Sequence, residues 1–193
     1  VNILAGSGVV ESRRREATLD DWTRMPSRRA RFAAFKSEHA PHLGRVVHLW
    51  TGKEEKPLAR APKYAGQFLE GQPLSYLIEF LDAREQPVFT IYYQDAASGK
   101  GIGAPTLPHR PVDVAILCVP SWRNVDGYPE EILKRLRPKH VVLCHFDDFI
   151  CDAGKEMEFL FHEETEEFLR ETQRILTEHR IPATIWMPSP QAR

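Results

Sequence analysis

Val112-Asp113-Val114-Ala115-Ile116-Leu117-Cys118-Val119 is the stretch whose reading decides the fold. A nearly continuous apolar run of this length is the mark of a strand covered on both faces, as in the parallel sheet of an α/β protein. The downstream sequence agrees. Pro129 suits a helix first turn, Glu130 and Glu131 complement the N-terminal dipole, and Ile132, Leu133 and Leu136 supply an apolar face before Pro138 stops the helix. His140 to Cys144 then reads as a second strand. Phe168, Leu169, Thr172, Ile175 and Leu176 recur at helical spacing across Glu163 to Arg180, and Ile181 to Met187 completes another helix-to-strand step.

Upstream the pattern is β. Gln67 to Glu70, Leu74 to Leu81 and Val88 to Tyr93 are strand-like runs separated by the turn-rich Gly71-Gln72-Pro73 and Asp82 to Pro87, which predicts an antiparallel meander. Ala30 to Lys36 and Arg45 to Trp50 are further strand candidates, and residues 51–65 form a long surface loop resembling a flap. Val9 to Met25 reads as an exposed connection, with Thr18 and Asp21 spaced like a weak capping box before a short helix that Pro26 ends. The fold class expected is α+β or α/β. No internal repeat, low-complexity tract or heptad pattern occurs, and residues 188–193 are expected to fray.

The 193 residues suit one domain with a real core. With 26 Lys plus Arg against 27 Asp plus Glu, charge gives no case for nucleic acid or an anionic membrane as partner. Two of the three cysteines, Cys118 and Cys144, lie inside apolar runs and read as small buried hydrophobes; with Cys151 they form no C-x-x-C pair. No apolar run reaches the roughly 20 residues of a membrane span, and no basic-then-apolar leader opens the chain, so the expected location is the cytoplasm. The abrupt strand-like start Val1-Asn2-Ile3-Leu4-Ala5 is read as the mark of an N-terminal truncation.

Three polar tips close the apolar runs: Ser37-Glu38-His39-Ala40-Pro41-His42, Gln94-Asp95-Ala96-Ala97 and His145-Phe146-Asp147-Asp148. Each puts imidazole or carboxylate at a strand end, where α/β folds place their chemistry, and a His/Asp/His set has the donors a metal requires. Asp95 could bridge two cations through its two oxygens, or simply cap the Ala96 to Gly99 turn. His145 could ligate through one nitrogen with the other held by a carboxylate or carbonyl, or be an ordinary hydrogen-bonded strand-end residue. His39 and His42 are spaced i, i+3, but Pro41 argues for a loop in which one of them points inward, and His39 is preferred because it comes first after the strand. His48, His109, His140, His162 and His179 are read as structural.

Other chemistries fit less well. Ser98-Gly99-Lys100-Gly101-Ile102-Gly103 lacks the order of a phosphate-binding loop and reads as a mobile turn. No G-x-S-x-G elbow occurs, and Ser121 is followed by Trp122-Arg123-Asn124 rather than a helix-opening glycine.

In order, His39 after a strand, Asp95 after a meander and His145 after an apolar strand resemble the later part of the metallo-β-lactamase superfamily. Ser-Glu-His-Ala-Pro-His and Val141-Val142-Leu143-Cys144-His145-Phe146-Asp147-Asp148-Phe149 look like members known only as metal-dependent hydrolases. The resemblance covers most of the chain from Ala30 onward. It implies part of an αββα sandwich, a centre of one or two Zn²⁺ or other divalent ions, and His39, Asp95 and His145 as metal ligands with Asp95 the bridge. It also implies hydrolysis of a small-molecule ester, lactone, amide or phosphodiester. The family's HxHxDH signature is absent from this sequence, which again suggests truncation and predicts a sheet face exposed to self-association. The reading from a different class is a non-catalytic α/β binding or interaction module whose tips are ordinary turns.

Overall fold

In the computed structural model the β-runs pair in chain order. The described residues are 9–11, 17–41, 45–49, 51–53, 55–56, 64, 69, 71–147, 158–160 and 162–188. The strands are Trp22–Arg24 (β1), Ala30–Lys36 (β2), Leu74–Leu81 (β3), Pro87–Gln94 (β4), Val114–Cys118 (β5), His140–Cys144 (β6) and Thr184–Trp186 (β7). They form one sheet in the order β1-β2-β3-β4-β5-β6-β7. The ladders from β1 to β4 are antiparallel and those from β4 to β7 are parallel; of the expected meander Leu74–Leu81 and Pro87–Gln94 pair, the other neighbour of β3 is β2, and most of Gln67 to Glu70 lies outside the described residues. The β3–β4 turn is set by Asp82, whose carboxylate accepts the backbone N–H groups of Arg84 and Gln86, each at 2.8 Å.

The parallel strands need crossovers. Glu130–Leu136 (α1) links β5 to β6, and His162–Glu178 (α2) lies between β6 and β7. Because the order advances in one direction and such crossovers are right-handed, both helices fall on the same face of the sheet. Burial agrees: Leu77, Tyr92, Leu117 and Leu143 from the strands, and Ile132, Leu133, Phe168 and Ile175 from the helices, are all 0 % exposed in one core. Phe168 is the keystone, edge-on to Trp122 at 5.6 Å and stacked on Tyr128 at 5.9 Å between ring centroids. Arg137 ends α1 at φ 43° and donates to the carbonyls of His179 and Arg180, tying the two helix ends together.

The charge inside the deciding run has a structural reason. Asp113 Oδ2 accepts the Thr90 N–H at 2.8 Å and Oδ1 accepts Lys139 Nζ at 2.7 Å, so one carboxylate joins β4 to the segments that lead into β5 and β6. Burial alone would raise its pKa, but these hydrogen bonds and the charges of Arg110 and Lys139 outweigh it and hold the carboxyl below its ordinary value.

Strand residues pointing away from the helices form two aligned rows. One runs Phe32, Ile78, Ile91, Val114, His140 and the other Tyr76, Tyr93, Ile116, Val142, Trp186. These side chains are half-buried apart from Trp186, which is exposed, as are Phe80 and Phe89 on the same side. The expectation that Val112 to Val119 is covered on both faces is therefore corrected: Ala115 and Leu117 are fully buried, while Val114 and Ile116 lie on this half-open side.

Two other expectations are corrected. Thr18 to Met25 is not a helix; Leu19 bridges to Ala34 and Trp22–Arg24 pairs with β2, the Arg31 guanidinium lying 4.2 Å over the Trp22 ring, so ladder and packing outweigh a weak local cap. Arg45 to Leu49 is turn and irregular backbone apart from a single bridge residue, Val47, and Arg45 is drawn away to Asp126 at 2.7 Å and to the Arg123 carbonyl. Val1 to Ala5, His42, Trp50, Asp148, Cys151, the tail from 189 on and most of 51–70 lie outside the described residues. No helix among the described residues is long and apolar enough to cross a membrane.

Candidate functional site

β2 is antiparallel to β3 and β3 to β4, so β2 runs the same way as β4, β5 and β6. The segments leaving β2, β4 and β6 all emerge at one edge of the sheet, and these carry His39, Asp95 and His145. Alternate strands provide the polar groups, and β5 separates β4 from β6.

Across that gap, Asp95 Oδ1 and His145 Nδ1 are 3.8 Å apart, with side chains 56 % and 32 % exposed. His145 adopts φ 62°, a left-handed conformation uncommon for a side-chain-bearing residue, which turns the chain sharply at the end of β6. Cys118 Sγ, at the end of β5, lies 3.8 Å from the same imidazole nitrogen. Burial pushes the Cys118 thiol well up, helped by the nearby Cys144 and Asp95, and burial likewise pushes Cys144 up to about 12. Neutral, enclosed thiols of this kind are poor nucleophiles. Tyr93 stands on the same side of β4 as Asp95, and burial together with the nearby carboxylate lifts its phenol above the usual range. The Asp95 carboxylate thus faces His145 across the end of β5.

A buried polar network fixes the loops. Ser37 and Ser98 hydroxyls lie 2.7 Å apart, and Ser98 Oγ also accepts the Glu38 N–H at 3.1 Å and donates to the Glu38 carbonyl. The Gly103 carbonyl accepts from Ser75, and the single Tyr92 O–H is shared between that carbonyl and Gln94 Oε1. Gly103 sits at φ +86°, where a Cβ would meet Ser75 Oγ at 3.1 Å. Ser98 to Gly103, expected as a mobile turn, is therefore pinned to the ends of β2, β3 and β4, with Ser98 only 1 % exposed.

His39 Nδ1 is 2.7 Å from the Ala40 carbonyl, which makes it the protonated nitrogen and leaves the ring lone pair on Nε2, the tautomer pattern of a metal-ligating histidine. His109 makes the same kind of bond to the Arg110 carbonyl, so the pattern alone does not single out His39. His39 lines a cleft of about 300 Å³ with Glu38, His48, Lys100 and Asp126. Asp95 and His145 are brought together; His39 shares their edge but lines this neighbouring cleft. Among the described residues, no group of three or more His, Cys, Asp or Glu side chains is arranged to hold a metal ion.

Tyr93 and Cys118 are site neighbours that sequence reading misses. The signal for Tyr93 is period 2: it stands two residues before Asp95, and alternation along a strand sends both to one side. The chain matches no family model, no curated protein and no solved structure.

Proposed function

We propose that the Asp95–His145 pair is part of a divalent-metal site, that His39 belongs to the same centre at the sheet edge, and that the protein is a metal-dependent hydrolase with the αββα architecture of the metallo-β-lactamase type. The observation that carries this reading is the separation of 3.8 Å between Asp95 Oδ1 and His145 Nδ1. It is too long for a hydrogen bond, yet two donors each about 2.0–2.2 Å from one ion fall within about 4 Å of each other. The donor types, a carboxylate oxygen and an imidazole nitrogen, suit zinc or a similar ion.

A bound divalent ion at such a site lowers the pKa of water and polarises a substrate oxygen. The chain's own residues orient and shape. Tyr93 lies beside Asp95 on the same side of β4, and the network from Ser37 to Gly103 fixes the loop that carries the carboxylate. Hydrolysis of a small ester, lactone, amide or phosphodiester is the reaction class. The alternative, a non-catalytic binding module, draws its support from the lack of a third donor grouped with the pair among the described residues.

The test is metal content and Zn²⁺ titration of the purified chain beside Asp95→Asn, His145→Ala and His109→Ala, together with hydrolysis of a panel of the four substrate types. The expected outcome is stoichiometric binding that weakens at least tenfold in Asp95→Asn and His145→Ala and persists in His109→Ala. Absence of binding in the wild type, or full occupancy in Asp95→Asn, would overturn the reading.

A further inference from the structure

Three loop segments, 38–41, 98–102 and 124–126, wall the cleft of about 300 Å³ that His39 lines. Hydrogen bonds lock each of them to the other two. Ser98 Oγ holds the backbone N–H and carbonyl of Glu38, the Asn124 side-chain amide donates to the Pro41 carbonyl at 2.9 Å, and the Lys100 N–H donates to the Asp126 carbonyl at 2.7 Å. The walls therefore stand in place before any ligand arrives, which spares a ligand the cost of ordering them. The cleft also lies at the end of the sheet where β2 and β4 run out, the usual place for ligands in α/β proteins.

The charged groups around the cleft are of two kinds. Asp126 is committed, because its Oδ1 accepts from Arg45 Nη1 at 2.7 Å and the pair is neutral as it stands. Lys100 and Glu38 are not. Both line the cleft and both are exposed, and among the described residues neither side chain has a hydrogen-bond or ion-pair partner. They do not pair with each other, so the ammonium and the carboxylate stand more than 4.0 Å apart. One cation and one anion thus border a space whose equivalent sphere is about 8 Å across.

A ligand that fills this space displaces water from both groups. A molecule with one charge would pair with one of them and leave the other short of both water and partner, whereas a molecule with two opposite charges pairs with both. We infer that the cleft binds a small zwitterion of amino-acid type, its carboxylate on Lys100 and its ammonium on Glu38. The volume suits a ligand of about a dozen non-hydrogen atoms. His39 and His48, on the same walls, supply ring nitrogens that can donate or accept further hydrogen bonds. The inference does not rest on the hydrolase reading; where both hold, the cleft grips the uncleaved part of the substrate beside His39.

The experiment is titration of the full chain, followed by amide chemical shifts, with glycine, 4-aminobutyrate and 6-aminohexanoate, and with butyrate and butylamine as singly charged controls. A metal chelator is present throughout, so that the result is independent of the Asp95–His145 pair. The expected outcome is saturable binding of at least one of the three zwitterions, at least tenfold tighter than either control, with shift changes gathered in Ser98 to Ile102 and Asn124 to Asp126. Lys100→Gln and Glu38→Gln should each weaken that binding at least fivefold. Arg84→Gln, an exposed charge in the β3–β4 turn, should leave it unchanged. No saturable binding of any zwitterion up to about 10 mM, controls that bind as tightly, shift changes confined to another part of the chain, or indifference to Lys100→Gln and Glu38→Gln would each overturn the inference. Zinc bound by a chain that takes none of the zwitterions would leave the hydrolase reading standing and this one lost; zwitterion binding by a chain that takes no zinc would do the reverse.

Discussion

Ser98 Oγ lies 2.7 Å from Ser37 Oγ, and through this contact the loop after β4 is fastened to the segment after β2. Both hydroxyls are buried, at 1 % exposure, and Ser98 also serves the Glu38 N–H and carbonyl. The stretches bearing Asp95 and His39 therefore hold a fixed relationship through residues that do no chemistry themselves.

Ser98→Ala leaves the buried Ser37 hydroxyl short of a partner and takes away the acceptor of the Glu38 N–H, an expected loss of about 1–3 kcal/mol. Chemical denaturation should give a lower midpoint with an unchanged slope. Amide exchange at Glu38 should accelerate more than exchange in β5 or β6, because the disturbance is confined to the loop edge.

Asp113 sets an acid limit on stability. Its folded pKa is held below the ordinary carboxylate value of 3.8, so its stabilising contribution is present above that value and is lost as pH falls through the folded one. Unfolding free energy should drop on acidification below about pH 4, and Asp113→Asn, weaker at neutral pH, should show a shallower drop. Denaturant titrations between about pH 2.5 and 7 measure both slopes.

Phe168→Ala removes the ring between Trp122 and Tyr128 in the core. The expected cost is about 3–5 kcal/mol, read as a lower thermal midpoint, with Trp122 emission shifted to the red as solvent reaches the indole. Equal stability would mean that α2 is not joined to the segment between β5 and α1 through this side chain.

Much of this architecture is legible in the sequence. The runs behind β2, β3, β4 and β6 are bounded by turn residues that act locally, Asp82 above all, and His140–Cys144 is readable residue for residue. β1 is not, because three residues with no periodicity become a strand only when β2 lies beside them. The two sides of the sheet are also beyond sequence reading. In Leu74–Leu81 the fully buried positions include Ser75 and Glu79, while the aromatic Tyr76 and Phe80 face outward, so polarity points the wrong way. Glu79 is stabilised there by Arg31 at 2.6 Å, a partner 48 residues away in sequence. At the site, Asp95 and His145 are visible as strand-end polar residues, whereas their approach depends on the stagger of β4 and β6 across an intervening strand.

Because the sheet is laid down in chain order, every ladder among the described residues joins a strand to its immediate predecessor. A chain emerging from the ribosome can add each strand to an edge already in place, without waiting for a distant segment or displacing one. Growth also leaves the newest edge unpaired at every stage. The parallel half can extend only after its connecting segment has been made, so synthesis should pause the sheet at β4 and again at β5 and β6, with the meander complete as the template.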